Sequence, residues 1–331
     1  MAKILLTGGA GYIGSHTYLA LVEAGFSAVI LDSFINAYDT VPDRLAQITG
    51  APVSIIRGDV RDQDVLRQAF AEHRFDAVVH FAALKSVSDS VQRPLEYFRV
   101  NTGGLITLLS AMEAAGCRRI VFSSSATVYG EPDISPTFET APRRAVNPYG
   151  RSKIIGEEML EMLGPDWAVG TLRYFNPAGA HASGLIGEDP KSQVENLMPI
   201  MAEVARGDRE ELQIYGDDYG TPDGTPIRDY IHVEDLARGH VLSLNRLLET
   251  EQSHLVNLGT GRGYSVLEMV KAYGKAAARE MPYKIVGRRP GDVPIYCAQT
   301  DRAAELLDFR TERSLEEICA TSWRWTMRNS R

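Results

Sequence analysis

A chain of 331 residues is long enough for one large domain, or two closely joined ones, with a substantial buried core. Its content of 44% hydrophobic and 24% charged residues is typical of a globular protein. The formal net charge of −8 argues against nonspecific nucleic-acid binding, because phosphate affinity needs a basic face.

The cysteines, histidines and apolar runs exclude several other classes. Three widely spaced cysteines without a CxxC pair rule out a disulfide framework. The seven histidines show no HxH or HExxH spacing, so we expect no metal site. No apolar run is long enough for a signal peptide or a membrane span, so we expect a cytoplasmic protein that does not contact a membrane.

The first two-thirds of the chain alternate between short apolar runs and helix-length segments. Helices are predicted at Tyr12–Ala24 and Pro94–Ala115, each followed by a glycine suited to a left-handed C-cap. Strands that are apolar almost throughout and alternate with helices are typical of a doubly wound α/β fold, a parallel Rossmann sheet. The predicted strands are Lys3–Thr7, Ala28–Asp32, Val53–Arg57, Ala77–Phe81, Arg119–Ser123 and Val169–Tyr174.

A glycine-rich turn, TGGAGYIG at residues 7–14, joins the first strand to the first helix. Its glycines at positions 9, 11 and 14 permit a tight turn and a close approach of the backbone to a pyrophosphate. The charge of that group would meet the free amides of the helix N-terminus. The turn therefore predicts a dinucleotide site, the alternative being a glycine-rich turn without a ligand.

Two aspartates follow the next strands. Asp32 ends the second strand, where a carboxylate accepts hydrogen bonds from the adenosine ribose and repels a 2′-phosphate. NAD is therefore expected rather than NADP. Asp59 follows the third strand and has the position to meet the adenine, but it could equally be a turn aspartate.

The fifth strand ends in FSSSATVYG at residues 122–130, and a helix with the pattern YxxxK follows. Asn147 is suited to the N-cap of that helix, which places Tyr149 and Lys153 on one face, four residues apart. A nearby ammonium lowers the pKa of a tyrosine, and the helix N-terminus and a nicotinamide ring add to the effect. Ser125 lies at the carboxyl end of a strand, where open α/β sheets bind ligands, and its hydroxyl could relay a proton.

Each of these motifs has a plainer interpretation. YxxxK occurs by chance on surface helices, and a serine-rich strand end can be merely structural. The pattern becomes specific only together with the glycine turn.

After about residue 176 the strand and helix alternation ends. Residues 177–230 are rich in Gly, Pro and Asp, with one clear helix at Leu197–Arg206. A helix at Glu234–Leu248 and a strand at Val256–Leu258 are predicted to return to the sheet. We expect an NAD-binding Rossmann domain at 1–176, with a return at 231–262, and a smaller α/β substrate-binding lobe at 177–230 and 263–331.

With these motifs in this order, the sequence resembles the extended short-chain dehydrogenase/reductase family, and within it the UDP-galactose 4-epimerases. The resemblance covers nearly the whole chain. It implies a UDP-sugar substrate and NAD as the cofactor in a transient oxidation at C4 that interconverts UDP-galactose and UDP-glucose. The segments that carry it are TGGAGYIGS (7–15), HFAALK (80–85), FSSSATVYG (122–130), LRYFN (172–176), GEDP (187–190), NLMP (196–199), DGTPIRDYIH (223–232) and RRPGD (288–292).

The resemblance also implies a role for individual residues. The catalytic residues would be Tyr149 as base, Lys153 as its activator and Ser125. The positions that match NAD contacts are Gly8, Gly11, Tyr12, Ile13, Gly14, Asp32, Asp59, Val60, Phe81, Lys85, Tyr149, Lys153 and Phe175. Those that match UDP-sugar contacts are Ser125, Asn176, Asn196, Leu197, Tyr215, Arg228, Arg289, Asp292 and Tyr296.

Three of these positions carry further expectations. Arg228 and Arg289 are suited to hold a diphosphate with their forked guanidinium groups. Tyr296 is expected to restrict the space beside the 2-substituent of the hexose. Val100 departs from the pattern, because some relatives carry a cofactor-contacting Asn there, so no cofactor contact is expected of Val100.

Helices Pro94–Ala115 and Pro148–Leu163 have more apolar residues than one core stripe needs, which favours a homodimer through a four-helix contact. The alternative is that these residues line the sheet. The residues concerned are Leu105, Leu109, Met112, Met159 and Met162.

Other functions remain alternatives. The sequence Ser125-Ala126-Thr127 offers no carboxylate for the elimination that a sugar-nucleotide 4,6-dehydratase performs. An epimerase or decarboxylase acting on another UDP-sugar, and a non-catalytic NAD-sensing Rossmann protein, stay open.

Overall fold

Fourteen strands and twelve α-helices are found in the part of the chain that the computed structural model describes, residues 1–191, 194–289 and 291–329. The strands are β1 (Lys3–Thr7), β2 (Ser27–Asp32), β3 (Ser54–Arg57), β4 (Ala77–His80), β5 (Arg119–Ser125), β6 (Ala168–Tyr174), β7 (Asn176–Ala178), β8 (Leu212–Tyr215), β9 (Ile227–Arg228), β10 (Tyr230–His232), β11 (His254–Leu258), β12 (Tyr264–Ser265), β13 (Tyr283–Val286) and β14 (Ile295–Tyr296). The helices are α1 (Tyr12–Glu23), α2 (Val41–Thr49), α3 (Gln63–Glu72), α4 (Val87–Gln92), α5 (Pro94–Tyr97), α6 (Gly103–Ala114), α7 (Pro148–Glu161), α8 (Leu197–Arg206), α9 (Val233–Thr250), α10 (Val266–Ala277), α11 (Asp301–Leu307) and α12 (Leu315–Arg328).

Seven parallel strands form the main sheet in the order β11-β6-β5-β4-β1-β2-β3. The order reverses direction after β1, as in doubly wound sheets, and the carboxyl ends of β1 and β4 lie next to each other. Residues of the central strands such as Leu5 and Val78 are fully buried, since helices cover both faces. The predicted Rossmann fold is confirmed.

Each face of the sheet has its own apolar core. On one face α1 packs against α9, with Leu21 and Leu244 fully buried. On the other face α3 and α6 pack together over Leu66 and Leu108. The seventh strand, β11, follows α9 and so comes from a part of the chain far from the first six strands of the sheet.

The segment Pro94–Ala115, predicted as one regular helix, contains a π turn at Phe98–Thr102. The amide of Gly103 donates to the carbonyl of Phe98, five residues back. The π turn carries Asn101, whose side chain accepts from the Leu84 amide at 2.8 Å and donates to Ser152 Oγ at 2.9 Å. The irregular turn thus places the Asn101 side chain between two other segments of the chain. Such π turns often occur at functional sites.

The prediction that helices 94–115 and 148–163 have more apolar residues than one core-facing stripe needs was partly wrong. Leu105, Leu109 and Met112 are buried in the core against the sheet, and Met159 packs against the same core. Only Met162 of the five is exposed. A helix against a sheet buries a wide stripe, so one face absorbs more apolar residues than the sequence pattern suggested.

The second half of the chain adds a smaller α/β layer with a separate core. β13 pairs with β8, β9 pairs with β12 and β14, and β7 pairs with β10. Helices α8, α10 and α12 pack together over Met201, Tyr273 and Ile318. No helix within the described ranges is long and apolar enough to cross a membrane.

Candidate active site

The glycine turn between β1 and α1 packs so closely against backbone that Gly8 and Gly14 cannot be replaced by a residue with a side chain. A Cβ atom at Gly14 would lie 2.4 Å from the carbonyl oxygen of Gly8, and one at Gly8 would lie 2.7 Å from the amide nitrogen of Ala82. Gly8 also has a positive φ of 72°. The N-cap of α1 is Gly11, which has no side chain to cap the helix amides. The turn therefore fits an anionic group held by backbone amides.

Tyr12 and Ile13 form the first turn of α1. The Tyr12 hydroxyl donates to the carbonyl of Gly179 at 2.7 Å, which ties α1 to the chain beyond β7. The Ile13 side chain packs against the apolar core.

Asp32 ends β2 beside this turn and is buried. Its carboxylate accepts hydrogen bonds from the amides of Ala10 at 2.9 Å and Phe34 at 2.8 Å. Burial raises the pKa of Asp32, and the two amide bonds oppose that rise. The carboxylate is thus fixed at the carboxyl edge of the sheet with acceptor capacity remaining.

Asp59 takes the turn geometry that the sequence left open. One carboxylate oxygen accepts from the Arg61 amide at 2.8 Å, two residues on, and the Arg61 guanidinium pairs with both oxygens. The hydrogen bond to Arg61 lowers the pKa of Asp59. Val60 is buried against Gly104 of α6.

The ends of β4 and β6 hold the other residues predicted to contact a dinucleotide. The Phe81 ring centroid lies 4.8 Å from that of His240, and Phe175 is buried. Lys85 is 58% exposed, and its Nζ atom lies 3.3 Å from Glu188 Oε1.

Ser125, Tyr149 and Lys153 come together at the carboxyl end of β5. Asn147 caps α7 through its side chain, as predicted, so Tyr149 and Lys153 are neighbours on one helix face. The Lys153 ammonium lies 5.9 Å from the Tyr149 ring centroid and donates to the Ser123 carbonyl at 2.6 Å. Ser125 lies near enough to the Tyr149 phenol to lower the pKa of that group.

The charges of these groups depend on burial. Burial raises the pKa of Tyr149, and the nearby Ser125 hydroxyl opposes that rise. Burial lowers the pKa of Lys153 to about 8, while Glu157 opposes that change. Protein groups alone therefore favour the neutral phenol, and a positive charge bound next to it would favour the phenolate.

Tyr296, on β14, reaches the same strand end from the smaller layer. Its hydroxyl donates to the carbonyl of Ala126, next to Ser125, and its ring centroid lies 5.2 Å from that of Phe175. Burial raises the pKa of Tyr296. The ring thus stands beside the Ser125 end of β5.

The two predicted arginines lie in the smaller layer. Arg228 donates from Nη2 to Asp292 at 2.6 Å and from Nη1 to the Ile227 and Val293 carbonyls. Among the described residues nothing accepts from its Nε–H or from its second Nη2 hydrogen, so both can meet a ligand acceptor. The Arg289 guanidinium lies 3.8 Å from the Tyr215 ring centroid, which is a stacking distance.

The remaining predicted positions are Asn176, Asn196 and Leu197. Asn176 begins β7 and is exposed. Asn196 precedes α8, and its amide donates to Glu188 Oε1 at 2.6 Å instead of capping the helix. Leu197 packs partly against the core of the smaller layer.

A buried ion pair beneath this group was not predicted. Arg173 on β6 donates to both carboxylate oxygens of Glu157, at 2.9 and 2.6 Å, and Ser124 also donates to Glu157. The one available signal was the position of Glu157, four residues after Lys153 on α7. Its partners come from strands whose neighbours the sequence does not specify.

The described residues contain no group of three or more His, Cys, Asp or Glu side chains arranged to hold a metal ion. The features that fit a dinucleotide are the tight glycine turn, the start of α1 without a side-chain cap and the fixed Asp32 carboxylate.

Comparison with known proteins matches the whole chain. The model of the NAD dependent epimerase/dehydratase family matches residues 4–259. A UDP-glucose 4-epimerase of Mus musculus is 50% identical and covers 99% of this chain and 98% of its own. The crystal structure of UDP-glucose-4-epimerase from Stenotrophomonas maltophila with bound NAD and formylated UDP-arabinopyranose has a TM-score of 0.98 and 46% identity, over 100% of this chain and 99% of that one. The enzyme from Bifidobacterium longum in complex with NAD⁺ and UDP has a TM-score of 0.94 and 45% identity, over 99% of both chains.

Proposed function

This chain belongs to the NAD dependent epimerase/dehydratase family, and we propose that it interconverts UDP-galactose and UDP-glucose by transient oxidation of the sugar at C4. NAD is the cofactor. The observation that carries the proposal is the group formed by Ser125, Tyr149 and Lys153 at the carboxyl end of β5, the edge of the sheet at which the glycine turn also lies. It supplies a proton acceptor at the same sheet edge as the dinucleotide site.

In this mechanism Tyr149 takes the proton of the sugar 4-hydroxyl, and Ser125 orients that hydroxyl and passes protons to Tyr149. Held by the glycine turn and Asp32, NAD⁺ would supply reversible hydride transfer at C4, and its positive charge would favour the Tyr149 phenolate. Lys153 is fixed by the Ser123 carbonyl, so its charge stays near the phenol. Between the two hydride transfers, the oxidised sugar rotates about its diphosphate linkage and turns its other face toward the cofactor site.

The roles of the other residues are part of the proposal. The NAD contacts are Gly8, Gly11, Tyr12, Ile13, Gly14, Asp32, Asp59, Val60, Phe81, Lys85 and Phe175. The UDP-sugar contacts are Asn176, Asn196, Leu197, Tyr215, Arg228, Arg289, Asp292 and Tyr296. The remaining donors of Arg228 support a contact with the diphosphate. Asp59 already forms an ion pair with Arg61, so its carboxylate would meet only the edge of the adenine. Residues 1–176 with 231–262 would bind NAD, and residues 177–230 with 263–331 the substrate.

Assembly and compartment extend the proposal. Leu95, Ile106 and Met162 are exposed by 79, 51 and 87% on α5, α6 and just after α7. We infer that a second copy covers them, since large exposed apolar side chains on neighbouring helices favour a symmetric helix contact. All three cysteines are free and buried: Cys117, Cys297 and Cys319. Free thiols are typical of a reducing compartment, which supports a location in the cytoplasm.

The direct test is conversion of UDP-galactose to UDP-glucose by purified protein without added NAD. Conversion is expected, because the cofactor is regenerated in each turnover and stays bound. A panel that includes UDP-N-acetylgalactosamine and UDP-xylose would separate the proposal from epimerases of other UDP-sugars. Binding of NAD without turnover of any UDP-sugar would instead support the non-catalytic alternative.

A further inference from the structure

Glu188, in the GEDP segment after β7, connects two parts of the candidate site. Its side chain is only 9% exposed. One oxygen, Oε1, lies 3.3 Å from Lys85 Nζ and accepts a hydrogen bond of 2.6 Å from Asn196 Nδ2. Lys85 is a proposed NAD contact and Asn196 a proposed UDP-sugar contact. A single carboxylate oxygen thus touches residues assigned to two different ligands.

The backbone at Glu188 is fixed independently of this carboxylate. The Trp325 indole donates to the Glu188 carbonyl at 3.2 Å. A Cβ atom at Gly187 would lie 2.5 Å from Trp325 Cγ, so the chain lies flat on the indole ring. Arg44 stacks 5.2 Å from the centroid of the same ring and donates to the Leu185 carbonyl at 3.3 Å. A change of the carboxylate therefore leaves the loop anchored.

A second contact joins the same two segments. Ser86 donates to Glu195 Oε2 at 2.8 Å, and Ser88 donates to the other oxygen of Glu195. Residues 85–88, which follow β4, are therefore held from both Glu188 and Glu195. Glu188 in addition accepts from the Asn196 side chain.

We propose that Glu188 couples the binding of NAD to the binding of the UDP-sugar. Lys85 is long and mostly exposed, and ordering it costs side-chain entropy. NAD bound against Lys85 would order it, which fixes Glu188 and presents Asn196 to the UDP-sugar, and the reverse holds by linkage. Glu188 touches neither reacting group and is a positioning residue. The inference rests on the proposed function for the ligands of Lys85 and Asn196.

The test measures the rate of NAD release from the holoenzyme, with and without saturating UDP. In the unmodified protein UDP is expected to slow release by about 5-fold or more, the lower end of usual coupling. Glu188→Gln keeps an acceptor for Asn196 but removes the charge opposite Lys85. UDP should therefore slow NAD release from this variant by less than about 2-fold. Glu203→Gln is the matched control, because Glu203 pairs with Arg209 within the smaller layer. It should behave as the unmodified protein.

Lys85→Met provides a second, surface variant that removes the other partner. It should lose the UDP effect to the same extent, and the double variant should lose no more, because both changes break one link. UDP slowing NAD release equally in unmodified protein and Glu188→Gln, or not at all in unmodified protein, would overturn the coupling. A coupled protein that does not convert UDP-galactose would overturn the proposed function and leave the coupling in place.

Discussion

Tyr149 and Lys153 are both buried, and burial acts on them in opposite directions. It raises the pKa of the phenol and lowers that of the ammonium to about 8, so each group is driven toward its neutral form. Glu157, one turn beyond Lys153, favours the charged ammonium. The protonation state of the phenol therefore depends on the charges held around it.

Replacement of Tyr149 by phenylalanine should remove the proton acceptor and preserve the packing of the ring. The expected loss in kcat is about 10²- to 10⁴-fold, the usual effect of deleting a general base. Binding of NAD and UDP, measured by calorimetry, should be unchanged. Tyr283→Phe is a control, because Tyr283 is an exposed residue of β13. If Tyr149→Phe retained a tenth of kcat, another base would have to be sought.

Tyr296 should restrict the substrate range. An acetamido group forced against its packed ring would cost about 1–3 kcal/mol, or about 5- to 150-fold in kcat/KM. UDP-galactose should therefore be preferred to UDP-N-acetylgalactosamine by that factor, and Tyr296→Cys should relieve the preference. Tyr296→Phe separates size from the hydrogen bond to Ala126 and should keep the preference. Equal kcat/KM for both substrates in the unmodified protein would contradict this role.

Individual site residues could be predicted where local rules decide. The spacing of Tyr149 and Lys153 on a helix, and the position of Ser125 at a strand end, follow from the sequence alone. The pairing of Arg173 with Glu157 and the contacts of Glu188 could not be predicted. They depend on which strands and loops become neighbours, and no local pattern specifies that.

At the scale of elements, the strand ends were predicted within a residue or two because buried strands are apolar throughout. The π turn within Pro94–Ala115 was not, since the contacts of Asn101 with Leu84 and Ser152 are tertiary. For the same reason the sequence misjudged which apolar residues of this segment face the sheet.

Helices α5 and α6 offer the test of assembly. Light scattering should give the mass of a dimer at micromolar concentration, and Leu95→Glu should give a monomer, because a buried charge at a helix contact is costly. Ile285→Glu, on β13 and also exposed, should stay dimeric. A monomeric mass for the unmodified protein would reject the dimer.

At the scale of the whole molecule, buried histidines should make the fold sensitive to acid. Burial lowers the pKa of six of them: to about 3 for His16 and His80, to about 4 for His232, His240 and His254, and also for His181. Because the unfolded chain binds these protons near pH 6.5, stability is complete above that pH and falls as the pH drops toward 3–4. Between pH 7 and 5 a histidine such as His80 contributes a loss on the order of 2 kcal/mol.

The measurement is the midpoint of urea unfolding at pH 7 and pH 5. The midpoint should be clearly lower at pH 5, and His240→Gln should reduce the difference by removing one titrating group. The same midpoint at both values would show that these histidines do not govern acid stability.

The strand order has a consequence for synthesis of the chain. The chain leaves the sheet after Tyr174 and returns only with β11 at His254. Until then β6 is an open edge, and the side of α1 that α9 covers is bare. A nascent chain, or a fragment cut near residue 176, would expose both to other chains. Residues 1–176 have the sequence pattern of a complete Rossmann domain, yet without β11 and α9 they would tend to aggregate.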